Sequence, residues 1–533
     1  MFNRRWSILR ILLITGKQAE EIVRRIVAST GTKHDVDVLA LPVSVIALVS
    51  TDFIAKQLAK QGIKKEDYDL IIIPGLCRGS AKVIEEITGI KAVKGTLYAA
   101  DLPLILSMED PGKLSPDKPA DDIIKDLVVE RNKNILRELE EKLAKNPGSR
   151  IKVGSIMVPR SPPPIRVMAE VSDCHLLSKE EILKKIQKLV SSGADIVSIG
   201  FEAGNPRSDR VYEVVRFLKK EISTPIAIDS IIPSEIKSAL KAGVDMVLSI
   251  EAGNVDKVAD YLGETPYVAI PYDSSRNYIP GEPMERIKLL EYVIKKAHEH
   301  GAVNTIGDLI LDPPIVGKTL GSLVAYMEFK KRHPSIPLMM GIGNVSELMD
   351  ADTVGVNALL VMLGLEAGVS IMLVVEKSVK AQGSTLETKI ASQMASLAYM
   401  RKSPPKDLGI DLLILKDKRR IDMAIDTANA KVVDVVEEKK EYKLDPMGFF
   451  KIRVNHEAET IEALYTGRKG KILIRGKTAR AIRDYILEQE LVSTLSHAFY
   501  LGIELGKAEE ALTIHKNYYQ EKPLFTKKKP LDI

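Results

Sequence analysis

The sequence predicts an α/β fold: a central (β/α)8 TIM barrel with an N-terminal doubly wound α/β domain and a C-terminal α+β domain. Three observations lead there. Between Ile165 and Arg401 a short apolar run followed by an amphipathic stretch of helical period repeats eight times. Each run ends in or just before a polar residue, and a parallel barrel of eight such units collects those ends on one rim. Ahead of this region, β-like and helix-like segments alternate, the pattern of parallel strands joined by helices.

In chain order, Ile8–Ile14, Val36–Leu41 and Leu70–Ile73 read as strands, with helices starting near Lys17, Thr51 and Gly79. The turn from Gly75 to Ser80 hands a strand over to a helix, a place suited to anion capture, although most such turns only reverse the chain. Asp110–Asp122 is Pro-rich, polar and expected to be exposed; Ile123–Leu143 has helical spacing and is stopped by Asn146, Pro147 and Gly148. Pro162, Pro163 and Pro164 make a stiff approach to the barrel.

The eight barrel runs are Ile165–Val171, Ile196–Phe201, Pro225–Ser230, Met246–Ile250, Tyr267–Ile270, Ile306–Asp312, Leu338–Asn344 and Ile371–Ser378. Their ends bring Asp173, Glu202, Asp229, Glu251, Asp273, Asp312, Asn344 and Glu376 to the rim. Val356–Val375 is nearly apolar enough to span a membrane, but the turn at Gly364–Gly368 divides it into a buried helix and a strand. Beyond Pro404 and Pro405, Leu412–Leu415, Lys431–Val436, Phe449–Val454 and Ile472–Ile474 read as strands, followed by helices centred near Ala481 and Leu501. His497 in the last helix is read as packing ahead of a ligand. The expected division is 1–110, a linker with its helix at 111–164, the barrel at 165–403, and 404–533.

Lys and Arg total 77 against 72 Asp and Glu, and this thin excess gives no footprint for nucleic acid. The run Lys527–Lys529 reads as a solvated tail. Two cysteines, Cys77 and Cys174, make no disulfide framework and suit a reducing cytoplasm. Arg10 interrupts the first apolar run and no cleavage site follows, so neither a signal peptide nor a membrane segment is expected. Asp173-Cys174-His175 offers metal-ligating residue types, but adjacent side chains diverge, and no metal is expected.

Chemistry concentrates at Asp229, Asp312 and Asn344. Carboxylates buried at a barrel mouth need donors, and a guanidine-like edge offers two parallel ones to a single carboxylate. These residues resemble a known site. Ile196–Asn205, Ile228-Asp229-Ser230 and Ile310–Lys318 are similar to the pterin-binding barrel shared by dihydropteroate synthases and methyltetrahydrofolate–corrinoid methyltransferases. The chain as a whole resembles the archaeal dihydropteroate synthase-related proteins.

The resemblance implies that Asp229 and Asp312 hold a pterin ring, and that Asp312, catalytic together with Asn344, also biases its protonation. It matches Asn344, in Gly343-Asn344-Val345-Ser346, with the methyltransferase asparagine beside the methyl-bearing nitrogen. Glu202, Asn254 and Lys318 join the implied pterin site, with Arg207 and Lys377 as anion contacts. Three departures stand out. The fourth strand ends in Leu248-Ser249 where the family has an asparagine, leaving Asn254 or Glu251 to compensate; Ala203-Gly204-Asn205 replaces the synthase Ser-Thr-Arg; and Glu376-Lys377-Ser378 replaces its closing Arg-x-His-Asp. The leading expectation is a transferase of one-carbon or pterin metabolism that takes methyl from a reduced pterin of the tetrahydromethanopterin or tetrahydrofolate type. The acceptor would be a corrinoid on a partner protein or a small molecule, and the chain would pair as a homodimer. The alternatives are condensation of a pterin-methyl pyrophosphate with an arylamine, favoured by Gly317-Lys318, and a pterin-binding scaffold without catalysis.

Overall fold

The computed structural model describes residues 8–202, 204–416, 427–428, 430–435 and 444–526. They form two compact units. The first runs to residue 412 except for 349–353 and 375–384, and the second takes those two segments with the chain from 413 onward.

The first unit begins with a parallel sheet of β1 (Arg10–Gly16), β2 (Asp35–Leu41), β3 (Leu70–Ile73) and β4 (Ala92–Lys94) in the order β2-β1-β3-β4. Strand alternation divides β1 between two cores: Leu12 and Ile14 meet Ile54 and Leu58, while Ile11 and Leu13 meet Val23 and Ile105. The short β4 escaped the sequence reading because three residues carry too little pattern. The segment after it also differs from expectation. Pro111, Gly112, Leu114 and Ala120 are buried rather than exposed. The reason is an edge: the Lys94 amide donates to Ser115 O at 2.9 Å and the Ala120 amide to Gly95 O at 3.0 Å, so the segment covers β4.

Helix Lys125–Lys145 then leads to the barrel. Its Arg131 donates to the buried Asp101 at 2.7 Å, and Arg401, from helix Ser384–Arg401, grips the other oxygen of the same carboxylate. This three-residue network ties the first sheet, the linker helix and the last barrel helix together. Next comes a hairpin that the sequence reading missed, β5 (Arg150–Val153) and β6 (Ile156–Pro159). Ile151, Val153 and Val158 pack against Met168, Ile196, Ala227 and Met246 and so plug the barrel where its strands begin.

The barrel closes from β7 (Arg166–Val171), β8 (Ile196–Gly200), β9 (Ile226–Asp229), β10 (Met246–Ile250), β11 (Tyr267–Ala269), β12 (Thr305–Gly307), β13 (Leu338–Gly341) and β14 (Val369–Val375). Its interior is filled from the plug upward mainly by apolar side chains, up to Leu248, Val268, Ile306 and Ile371. β12 stops at Gly307, five residues before the expected end, because Asp308 turns its carboxylate onto the Ile310 amide at 2.7 Å and Ile310 takes φ of 62°.

In the second unit β15 (Gly448–Asn455), β16 (Thr460–Gly467) and β17 (Gly470–Gly476) form an antiparallel sheet, backed by helices Ala479–Glu488 and Leu495–Thr513. The expected strands at Leu412–Leu415 and Lys431–Val436 do not form over their described residues; the remainder, like Lys527–Lys529, lies outside the described residues. Both runs are apolar but face no partner strand. His497 donates or accepts at 3.0 Å with Asp445, which also receives the Ser493 and Thr494 amides, so this histidine completes a helix cap. No helix among the described residues is long and apolar enough to cross a membrane.

Candidate functional site

Alternation along the barrel strands decides which side chains reach the mouth. Ala227 faces the barrel axis, so Asp229 does too; Ile306 faces it, so Asp308 follows. Asp308 was not among the expected residues. Its signal in the sequence is parity, since Asp308 and Ile306 share one side of the strand, whereas Asp312 ends the apolar run. Both carboxyls point toward the barrel axis at the mouth, close enough for the charge of one to act on the other. Burial pushes Asp308 up to about 6, and the charge of Asp229 adds to that rise against the hydrogen bonds from Tyr326 and the Ile310 amide. Burial also raises Asp229, although its residue keeps partial exposure at the mouth; the Ser249 hydroxyl, donating at 2.7 Å, opposes the shift. One buried pair thus holds a proton more firmly than ordinary carboxyls do.

Asp312 sits on the loop beyond β12 and is held differently. Its Oδ2 makes an ion pair with Arg286 at 2.9 Å and accepts the Ser322 hydroxyl at 2.8 Å. Arg286, buried in helix Pro283–Glu299, also donates to Ile310 O at 2.8 Å and Pro280 O at 2.8 Å. Asp312 is therefore not an unpaired acid awaiting a ligand. Even so, its Oδ1 and the Oδ2 of Asp229 have no hydrogen-bond partner among the described residues. Asn344 is exposed in the short helix after β13, and its amide donates to Leu311 O at 2.9 Å, which ties it to the Asp312 loop and leaves its carbonyl oxygen outward.

The other expected residues divide. Glu202 bonds Arg207 at 3.1 Å and Asn205 at 3.0 Å, so Glu202 and Arg207 satisfy each other on their own loop. These partners hold the Glu202 carboxyl below its usual range. Lys318 pairs with Glu282 at 3.1 Å on the surface. Lys377 follows β14, belongs to the second unit and is also engaged. Asn254 must be corrected. It is buried with its oxygen on the Glu251 amide at 3.0 Å and its nitrogen on Ile231 O and Ser249 O, both at 3.1 Å, so no valence faces a ligand. Glu251 is likewise consumed by Gly253 and Ser274. At the end of β10, a register shift and φ of 65° turn the Ser249 hydroxyl onto Asp229.

Backbone strain gathers at the same rim. Asp173, Ser249, Ile310, Ile315 and Lys318 all have positive φ; Ser249 lies near the end of β10 and the others follow barrel strands. For β-branched Ile310 and Ile315 this conformation is a true outlier, of the kind that collects where side chains are aimed for function. Among the described residues no three His, Cys, Asp or Glu side chains group as metal ligands would. Cys174 donates to Val171 O at 3.1 Å, and burial pushes its thiol up to about 12.

The sequence matches three families: one described as pterin binding enzyme over residues 170–374, PterinBD-DUF4346 over 444–521, and a family of unknown function, DUF6513, over 9–96. An uncharacterized protein of Methanocaldococcus jannaschii is 35% identical over 532 residues, 97% of this chain and 99% of the relative. The dihydropteroate synthase of Bacillus subtilis is 28% identical over 216 residues, 37% of this chain and 75% of that enzyme. The Xanthomonas albilineans dihydropteroate synthase bound to 7,8-dihydropteroate superposes with a TM-score of 0.37 at 19% identity, over 46% of this chain and 96% of that one.

Proposed function

From the premise that this chain is a dihydropteroate synthase-related pterin-binding protein and belongs to the family of its Methanocaldococcus jannaschii relative, we propose that it transfers a methyl group from a methylated, reduced pterin. The observation that carries the reading is the pair of inward carboxyls, Asp229 and Asp308, with raised proton affinity, on a rim where Arg207 and Lys318 are already engaged. A methyl group leaves a tertiary ring nitrogen only if the bonding pair left on nitrogen is neutralised. The acceptor's electron pair forms the new bond to carbon, the nitrogen–carbon bond breaks, and a proton must end on nitrogen. A carboxyl titrating near 6 can share that proton at neutral pH, where an ordinary aspartate is almost fully ionised. In this reading Asp229 and Asp312 hold the guanidine-like edge of the pterin with their free oxygens. Asn344 presents its carbonyl oxygen to the reacting nitrogen and orders the protonated form. The acceptor is a corrinoid carried by a partner protein or a small nucleophile.

Departure of pyrophosphate, as in condensation with an arylamine, calls instead for cations at the mouth, and Arg207 and Lys318 each have a carboxylate partner. One pair of assays separates the readings: loss of labelled methyl from methyl-tetrahydropterin to cob(I)alamin, against release of pyrophosphate from a pterin-methyl pyrophosphate with an arylamine. Pyrophosphate release without methyl loss would end the methyl-transfer proposal, and tight pterin binding with neither reaction would favour the scaffold.

A pH dependence follows. Asp308 is raised from 3.8 to about 6, so its protonated form is lost as pH rises through 6. The methyl-transfer rate is expected to fall above that pH, by up to tenfold per unit. Asp308→Asn should lower the rate by about 10²–10³ and flatten this limb. The same shift predicts that stability declines as pH rises between the ordinary and the raised value, because the folded chain keeps a proton there that the unfolded chain releases. An unchanged pH profile in Asp308→Asn would remove Asp308 from the reaction.

A further inference from the structure

We propose that the N-terminal domain carries a second small-molecule site, an apolar cleft at the switch point of its sheet that takes an uncharged, planar group of one or two rings. The location follows from topology. The chain leaves β1 toward β2 on one side and returns to β3 on the other, so the connections at the carboxyl ends of β1 and β3 diverge and open a crevice. A cavity of about 240 Å3 lies there, between Thr15 at the end of β1, Pro74 after β3, Leu97 after β4, Ala47 after β2, and Ile22 of the first helix.

Its chemistry selects the ligand. Among the described residues no charged side chain lines the cavity. The helix beside it opens with Glu20 and Glu21, which pair with Arg24 and Arg25, so no positive end awaits a phosphate. This separates the cleft from a dinucleotide site, although the sheet is wound in a related way. The volume lies below the roughly 300–1,000 Å3 of sites for drug-sized ligands, which limits the occupant to one or two rings. Thr15 supplies the polar handle. The residue is 2% exposed and lines the cavity wall at the end of β1. A ligand carbonyl or ring nitrogen seated in the cleft would accept from this hydroxyl. Ile22 and Val45, 54% and 40% exposed, form an apolar lip that a bound ring would cover.

The test uses the full chain and the neutral naphthalene dye prodan, whose carbonyl can accept from Thr15 and whose emission shifts blue in apolar surroundings. The expected result is one saturable site per chain, weakened about tenfold by the near-isosteric Thr15→Val and eliminated by Ala47→Trp, which fills the cleft. The methyl resonances of Ile14, Ile22 and Ile73 should shift with dye in the unaltered protein, a readout independent of how the variants fold. Absence of a saturable site, or methyl resonances that do not move, would overturn the proposal. Equal affinity for the anionic dye anilinonaphthalene sulfonate would overturn the uncharged class of ligand.

Discussion

Arg286→Met is expected to lower stability by about 3–5 kcal/mol and to abolish pterin binding, because one buried guanidinium organises the whole loop beyond β12. Arg286 is 3% exposed. Its donors meet Pro280 O twice, at 3.0 and 2.8 Å, Ile310 O at 2.8 Å and Leu309 O at 3.2 Å, and it pairs with Asp312 at 2.9 Å. Methionine fills similar volume but leaves those carbonyls without a donor and Asp312 without its cation. The loop is also strained, with φ of 62° at Ile310 and 68° at Ile315, and the arginine supplies the bonds that oppose its relaxation. Arg286→Lys should recover only part of the loss, since an ammonium cannot reproduce the planar fork that serves acceptors on two sides. Urea unfolding followed by circular dichroism reads the stability, and calorimetric titration with a reduced pterin reads the site. A midpoint within error of the parent would show that the loop is held by something else.

The sequence made the barrel legible because its repeat combines two periods that few other folds combine: short apolar runs at strand length and helical spacing between them. Ile196–Gly200 and Met246–Ile250 needed no tertiary information. What failed had no local signature. The strands of the plug hairpin β5–β6 are only four residues each, too short for a periodic pattern, and β4 is three residues long. Leu412–Leu415 had strand propensity without a neighbouring strand, and propensity alone does not make a sheet. At the site, strand ends were readable, so Asp229 and Asp312 stood out. The pairings that decide what each acid can do were not. Asp312 and its Arg286 are 26 positions apart in chain order, and nothing in either segment announces the pair. Asn254 illustrates the reverse case: an asparagine in the right loop whose valences are all consumed locally.

Asp229→Asn separates pterin recognition from mere integrity of the rim more cleanly than any change at Asp312. The Ser249 hydroxyl donates to Asp229 at 2.7 Å, and an amide oxygen in the same position would accept it equally well. The fold should therefore survive; removing a raised carboxyl from a buried mouth should leave stability unchanged or slightly higher at neutral pH. Binding is another matter. The second oxygen, which has no partner among the described residues, would become an NH2 group facing the donor edge of the pterin. Losing a charge-assisted bond costs about 1.5–3 kcal/mol, roughly tenfold to 150-fold in Kd, and donor opposing donor adds to it. The double change with Asp312→Asn should fall short of the product of the two single effects, because both acids would grip one rigid ring and the first loss already loosens it. Lys318→Ala, which removes only a surface pair with Glu282, should leave pterin affinity within about twofold. Full additivity of the two aspartate changes would mean that the acids act on different ligands, and an unchanged Kd in Asp229→Asn would mean that the pterin does not lie against β9.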